Sequence, residues 1–170
     1  MRVILVLWLF ATSAVAQDRP AVSPAACGSK TINFDVKLDD SQHTLLPPEP
    51  GKARVYFIQD LGPLTCIACT TTRIGLDGNW AGAVHHNSYF SVTIEPGEHH
   101  LCANPQSRFS AVNRVVALAH FTAEPGKVYF FRARVLGDNH NPFFDLDPID
   151  SDQGEYLVAW FPLSVSHPKP

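Results

Sequence analysis

No stretch of this 170-residue chain stays apolar for the roughly 20 residues that a membrane-spanning helix requires. Basic residues are not in excess either, since 13 Lys and Arg stand against 16 Asp and Glu and form no clustered face. That balance argues against nucleic acid or an anionic membrane as partner. A Gly-x-Ser-x-Gly nucleophile elbow is missing, and Ser88 and Ser91 neighbour histidines in composition only. Gly75-x-x-Gly78 sits in a hairpin pattern and precedes no helix, so it cannot cradle a phosphate. Thr70 rather than His follows Cys69, which removes a heme attachment motif. The chain therefore reads as noncatalytic, with no cofactor implied.

What is present begins with an address. Residues 1–16 have a basic start at Arg2, an apolar run over 3–10 and a small-residue exit at Ala14-Val15-Ala16, the pattern of a secretory signal peptide cut before Gln17. Loss of Arg2 takes the formal charge from -3 to -4. The expected location is secreted or periplasmic, with no transmembrane span. An alternative makes Cys27 the lipid-anchored first residue of a lipoprotein, because Ala25 and Ala26 precede it. Pro24 occupies a position that prefers an aliphatic residue, and Asp18 and Arg19 intervene, so the signal peptide is the better reading. About 150 mature residues suit one domain. We divide the chain into a signal peptide over 1–16, an N-terminal arm with one edge strand over 17–50, and a β-sandwich domain over 51–165.

Cys27, Cys66, Cys69 and Cys102 all lie in the exported part. An even count in an oxidising compartment favours two disulfides, with three pairings open. Cys66 and Cys69 share a loop-like stretch, so a local bridge there and a long one from Cys27 to Cys102 is the preferred arrangement. By the chain-entropy model the long bridge is worth roughly 4 kcal/mol. Thiol redox chemistry at Cys66-x-x-Cys69 would need a helix start after a strand of a β/α fold. A zinc site would need a second close pair. Neither context is present.

Strand signals recur along the chain. Residues 31–38 alternate Ile32, Phe34, Val36 and Leu38 with polar neighbours, as a half-buried edge strand does. Pro47, Pro48 and Pro50 then stiffen the approach to a clear strand over 53–59. Segments 73–76 and 79–84 flank Asp77-Gly78, a type I′ hairpin signal that sets Trp80 opposite Gly75. Segments 88–94 and 98–103 flank Pro96-Gly97; a two-residue turn there would put His99, Leu101 and Ala103 on the face of Phe90, Val92 and Ile94. Segments 115–123 and 127–136, around Pro125-Gly126, are apolar on both faces, as central strands are. Residues 154–160 read as a short C-terminal helix or a last strand, which Pro162 ends. The expected class is all-β, an antiparallel β-sandwich.

Several side chains invite chemistry. His85-His86 and His99-His100, with His120 and His140, suggest zinc or copper, and His85, His99 and His120 are the metal candidates. Adjacent strand residues face opposite ways, so each pair offers one ligand to any site. The competing reading is surface or hydrogen-bonded histidines. Trp80 could stack on a sugar or aromatic ligand, with Tyr89 as a second aromatic candidate, against plain packing at the sandwich edge. Asp138, Asp145, Asp147, Asp150 and Asp152 could hold calcium but lack the spacing of an EF-hand loop. A solvated loop with Asp150 or Ser151 capping a helix fits better.

The order of short motifs carries a resemblance. Gly51-Lys52-Ala53-Arg54-Val55-Tyr56-Phe57, Ile74-Gly75-Leu76-Asp77-Gly78-Asn79-Trp80-Ala81-Gly82, Ser88-Tyr89-Phe90, Glu95-Pro96-Gly97-Glu98-His99 and Pro125-Gly126-Lys127-Val128-Tyr129-Phe130 resemble the bacterial exported proteins grouped as domain of unknown function 2846. The central part is also similar to the PEGA domain and transthyretin-like modules. The resemblance implies a small β-sandwich in the cell envelope, often lipid-anchored in that family. It assigns no catalytic residues. The function expected is a binding or structural role through contacts with an envelope protein or glycan. The alternative is a small-ligand or metal-binding periplasmic protein using the strand histidines and the Cys66/Cys69 loop.

Overall fold

A computed structural model describes residues 26–60, 71–107, 113–137 and 142–169. The strands run β1 (Asn33–Asp39), β2 (Ala53–Gln59), β3 (Thr71–Leu76), β4 (Asn79–His85), β5 (Ser88–Ile94), β6 (Gly97–Gln106), β7 (Ala117–Ala123), β8 (Val128–Gly137), β9 (Pro142–Ile149) and β10 (Leu163–Lys169). Helix α1 (Ser151–Trp160) lies between the last two. The strands form a six-stranded sheet in the order β1-β10-β5-β2-β8-β9 and a four-stranded sheet in the order β4-β3-β6-β7. The all-β sandwich read from the sequence is thus what the chain forms, with one short helix. Most pairs are antiparallel, but β2 runs parallel to β8, and β5 meets β10 in parallel at Tyr89 and Leu163.

Alternation along β2 explains the layering. Ala53, Val55 and Phe57 point between the sheets, where they join Ile74, Val84, Phe90, Ile94, Leu101, Ala103 and Phe131. Tyr56 and Ile58 point the other way and meet Tyr89, Phe130, Leu157 and Val158 under α1. Fully burying side chains of this size contributes about 1.5–3 kcal/mol each. The inner layer is partly aromatic, with Phe57 5.3 Å from Phe90 and 6.1 Å from Phe131. In the outer layer Tyr56 stacks 5.3 Å from Phe130.

The turns do different work from one another. Asp77 and Gly78 sit at φ 50 and 86, the left-handed pair that a type I′ hairpin demands. Trp80 pairs with Gly75 as the sequence implied, and a register shift beside Gly75 leaves Ala81 as the extra residue of a bulge. Pro96-Gly97 and Pro125-Gly126, in contrast, join strands of different sheets. The hairpin expected at Pro96-Gly97 is therefore replaced by a corner, because Pro-Gly lacks the twist of a primed turn. The shared face survives: Phe90, Ile94, Leu101 and Ala103 all enter the inner layer from opposite sheets. A second correction concerns 115–123, whose strand β7 closes the four-stranded sheet as an edge instead of running through a centre. Leu118 is accordingly 57% exposed.

Residues 151–160 become helix. Asp150 accepts a 2.9 Å hydrogen bond from the backbone N–H of Gln153, the N-cap anticipated from the sequence. Beyond the helix lies β10, which no sequence signal suggested. It pairs along its whole length with β1, so the N-terminal arm completes the six-stranded sheet. Gln106 of β6 reinforces this edge: its side-chain carbonyl accepts from the N–H of Phe34 at 2.7 Å, and its amide donates to the Phe34 carbonyl at 2.9 Å. The arm is also stapled by a disulfide from Cys27 to Cys102, spanning 75 residues with Cα atoms 5.1 Å apart. That is the long bridge preferred above, and a bonded Cys27 sulfur cannot also carry a thioether-linked lipid. Cys66 and Cys69 lie outside the described residues.

Two stability measurements check these contacts. Gly154 rests on the ring of Phe130, so a Cβ there would overlap the ring. Gly154→Ala should destabilise by about 1–3 kcal/mol in urea unfolding, although alanine is the better helix former. A variant as stable as the parent would refute the close approach. Replacing both Cys27 and Cys102 by Ser should cost about 4 kcal/mol, less any strain relieved.

Candidate functional site

The outer face of the four-stranded sheet carries Trp80, His85, His100 and His120 together with Arg73, Asn104 and the Cys27–Cys102 bridge. Residues 26–32 of the arm run across it. A Cβ on Gly75 would come within 2.6 Å of the Ala26 carbonyl, so glycine is what lets the arm lie flat here. Trp80 clamps the arm, donating from its indole nitrogen to the Ser29 carbonyl at 2.7 Å and pressing on Gly28. Arg73 lies with its guanidinium 4.9 Å from the Trp80 ring centre. It donates to the Ile32 carbonyl at 2.7 Å and to Asn104 Oδ1. Asn104 in turn donates to the carbonyls of Asn113 and Val115 at 3.0 and 2.8 Å. Burial pulls the Arg73 pKa below the usual arginine value.

Two aromatic expectations are corrected by this geometry. Trp80 is engaged by Gly28, Ser29 and Arg73, so its ring fastens the arm and offers no stacking platform. Tyr89 is 3% exposed and donates from its hydroxyl to the Gln42 carbonyl at 3.1 Å. The cause is the segment after β1, which folds over the outer layer; Tyr56 also meets it, with the Leu46 N–H donating to its hydroxyl at 2.6 Å.

The three metal candidates are separated. His85 pairs with Thr71 at one end of the sheet, and Thr71 pairs with Gln106. His120 pairs with His100, six residues back along β6. That places the two histidines about 20 Å apart along the strands and about 14 Å across them. His99 points into the sandwich with Leu101 and Ala103, on the opposite face from His120. Among the described residues no group of three His, Cys, Asp or Glu side chains is arranged to hold a metal ion. His140 and Asp138 lie outside the described residues. The acidic segment expected as a solvated loop is strand β9 over Asp145 and Asp147, because it pairs with β8; Asp147 faces Arg134 at 3.7 Å, and Asp150 caps α1.

His99 has a defined task of its own. Its Nδ1 lies 2.7 Å from Asp77 Oδ2 and its Nε2 2.8 Å from the Glu95 carbonyl. Both partners are acceptors, so only the imidazolium can donate to both. The Asp77 carboxylate also receives the N–H of His100 at 2.8 Å. The hairpin turn is thus tied to the corner at Pro96-Gly97. Burial works against the His99 cation, but Asp77 and the Glu95 carbonyl outweigh it and raise the pKa above 6.5. Burial likewise opposes ionisation of Asp77, yet the His100 N–H and the His99 ring outweigh it and hold the carboxyl below 3.8.

The exposed chemistry that the sequence did not flag is on α1. Gly154, Leu157 and Val158 face the sheet. Asp152, Tyr156 and Trp160, four residues apart, form a stripe facing solvent. Tyr156 is 60% and Trp160 67% exposed, with ring centres 6.1 Å apart. The helix carries Asp152 and Glu155 and no basic residue. The signal was available in the helical spacing of 156 and 160 but required choosing helix over strand.

With the strands and turns placed, the family model described as a protein of unknown function, DUF2846, matches residues 49–145. The chain belongs to the DUF2846 family. The match spans β2 to β8 and enters β9, so this DUF2846 protein carries β1, α1, β10 and the Cys27 arm outside the matched region. No curated protein and no solved structure matches the chain. The likeness to PEGA and transthyretin-like modules expected from the turn motifs is not confirmed by these comparisons.

The Asp77–His99 pair yields a pH dependence. A raised His99 pKa contributes stability that is full below pH 6.5 and lost as pH rises through the folded value. A depressed Asp77 pKa contributes stability that is full above pH 3.8 and lost as pH falls through the folded value. The pair is therefore strongest between those limits. Asp77→Asn keeps a residue that tolerates positive φ and should lower the His99 titration midpoint read by NMR. At pH 5–6 it should cost about 0.5–1 kcal/mol, the scale of an exposed pair. An unchanged midpoint would refute the pairing.

Proposed function

We propose that this chain is a noncatalytic exported module that binds an envelope component, glycan or protein, through the Tyr156–Trp160 face of α1. The observation that carries the reading is the exposure of two large aromatic rings on a helix whose other face is buried. Apolar area that is contiguous on a surface marks interaction sites, and Tyr and Trp are enriched among the residues that anchor interfaces. Their rings present flat apolar area for a sugar ring or an apolar side chain, and Asp152 and Glu155 beside them accept hydrogen bonds from hydroxyl or amide donors.

Export is supported by the signal-peptide pattern over 1–16 and by the Cys27–Cys102 bridge, a bond that persists in oxidising compartments. The noncatalytic reading is supported by how the polar side chains are engaged. His99 ties two turns together, Arg73 and Asn104 hold backbone, and Ser164 and Ser88 share a 2.6 Å hydrogen bond inside the sandwich. Each has a structural partner and none converges with a nucleophile.

Binding to soluble peptidoglycan fragments by calorimetry, with photo-crosslinking from the exposed position 153 in intact envelopes, tests the reading. Trp160→Ala should weaken the interaction roughly 30-fold, about 2 kcal/mol, with Tyr156→Ala smaller in the same direction. The reading fails if neither assay registers a partner that depends on Trp160. Stoichiometric zinc or copper in the purified protein would also overturn it.

A further inference from the structure

The two sheets leave four edge strands among the described residues: β1 and β9 on the larger sheet, β4 and β7 on the smaller. An edge presents a row of unpaired N–H and C=O groups, and proteins blunt it with charge, proline, bulges or cover. Three edges here are blunted. β1 carries Asp35, Lys37 and Asp39; β9 carries Pro142, Pro148, Asp145 and Asp147. β4 has its bulge, and its outward N–H groups at Ala83 and His85 donate to the hydroxyls of Ser166 and Ser164 at 3.1 and 3.0 Å.

Among the described residues β7 has no fixed charge, proline or bulge, and one side-chain hydroxyl against its edge. Its sequence, Ala-Leu-Ala-His-Phe-Thr-Ala, contains no Asp, Glu, Lys or Arg, no proline and no glycine. His100 directs its backbone toward β3, donating to and accepting from Asp77, so the next residues, His99 and Leu101, direct theirs toward β7. In β7 the residues paired with them, Phe121 and Ala119, point back, and Leu118, His120 and Thr122 point outward. The Tyr129 hydroxyl occupies one outward group only, donating to the Thr122 carbonyl at 3.3 Å.

We propose that β7 pairs antiparallel with β7 of a second copy of this chain about a two-fold axis at His120, joining two four-stranded sheets into one of eight. An axis there engages all three outward residues of both copies. Leu118 of one copy lies opposite Thr122 of the other, Ala119 opposite Phe121, and His120 opposite itself. Charge selects this edge for self-pairing. Two copies with the same net charge repel, and a two-fold axis through β1 would set like charges face to face, whereas β7 brings no fixed charge to the seam. The pairing also covers Leu118, more than half exposed in the single chain.

Sedimentation velocity on the oxidised full chain across a concentration series tests the proposal. The parent should form a reversible dimer, and His120→Lys, which opposes two ammonium groups across the axis, should weaken it at least tenfold. Circular dichroism of that variant should remain that of the parent, since the residue lies on the solvent side. His120→Cys should form a covalent dimer on oxidation, because directly hydrogen-bonded antiparallel residues have Cα atoms about 5.5 Å apart. Asp35→Cys on β1 should not. A parent that stays monomeric at about 1 mM overturns the proposal, as does a dimer indifferent to His120→Lys. So does a monomer that accepts only an extended peptide of another chain.

Discussion

Ala53, Val55 and Phe57 of β2 enter the layer between the sheets, while Tyr56 and Ile58 enter the layer beneath α1, and all five are essentially fully buried. A strand buried on both sides must find every backbone partner within the sheet, because no water reaches it. β5 and β8 supply those partners, one antiparallel and one parallel. The parallel pair requires a crossover between β2 and β8, and the smaller sheet is built within it in two excursions, β3–β4 and β6–β7, with β5 returning to the larger sheet between them. The central strand thus decides both the layer count and the connection that fills the second layer.

Around this frame, polar groups tie segments that the apolar layers leave loose. The arm is held by the Cys27–Cys102 bridge, by Trp80 and by Arg73. The bridge sits where the arm crosses the glycine at position 75, and Trp80 and Arg73 hold the carbonyls of Ser29 and Ile32 beyond it. The same logic holds the hairpin turn to the Pro96-Gly97 corner through Asp77 and His99. Side chains that look chemical in a sequence are here fastened to main-chain carbonyls and amides. The surface of α1 and the edge of β7 are the two places, among the described residues, that we propose for contact with another molecule.

Much of the fold was legible beforehand because the relevant signals are local. Alternation marked β2 and β5 to the residue, and Asp-Gly marked the hairpin because few residues accept two positive φ values in succession. The Asp150 cap was legible for the same reason. Pro-Gly was less informative: it marks a turn but not whether the chain returns to its own sheet. The exchange between sheets at 96–97 and 125–126 depends on which strand pairs with β2, a contact between residues more than 70 apart. The histidines show the limit at the candidate site. Alternation limited each adjacent pair to one ligand at any one site, yet the separation of His85 from His120 required the register of all four strands of the smaller sheet. Trp80 and Tyr89 were visible as aromatics, but the backbone that covers them comes from the arm and from the segment after β1.

The sequence by itself marked most strand segments up to β8, the primed hairpin and the layered all-β class, since periodicity and turn chemistry act over short range; it left three cysteine pairings open, of which the preferred one contains the Cys27–Cys102 bridge that forms. Tertiary structure alone decided that β10 exists and pairs with β1, that α1 shows its aromatic rings outward, and that β7 ends a sheet. Those outcomes depend on which surfaces are already covered when a segment arrives, and coverage is a property of distant residues meeting in space.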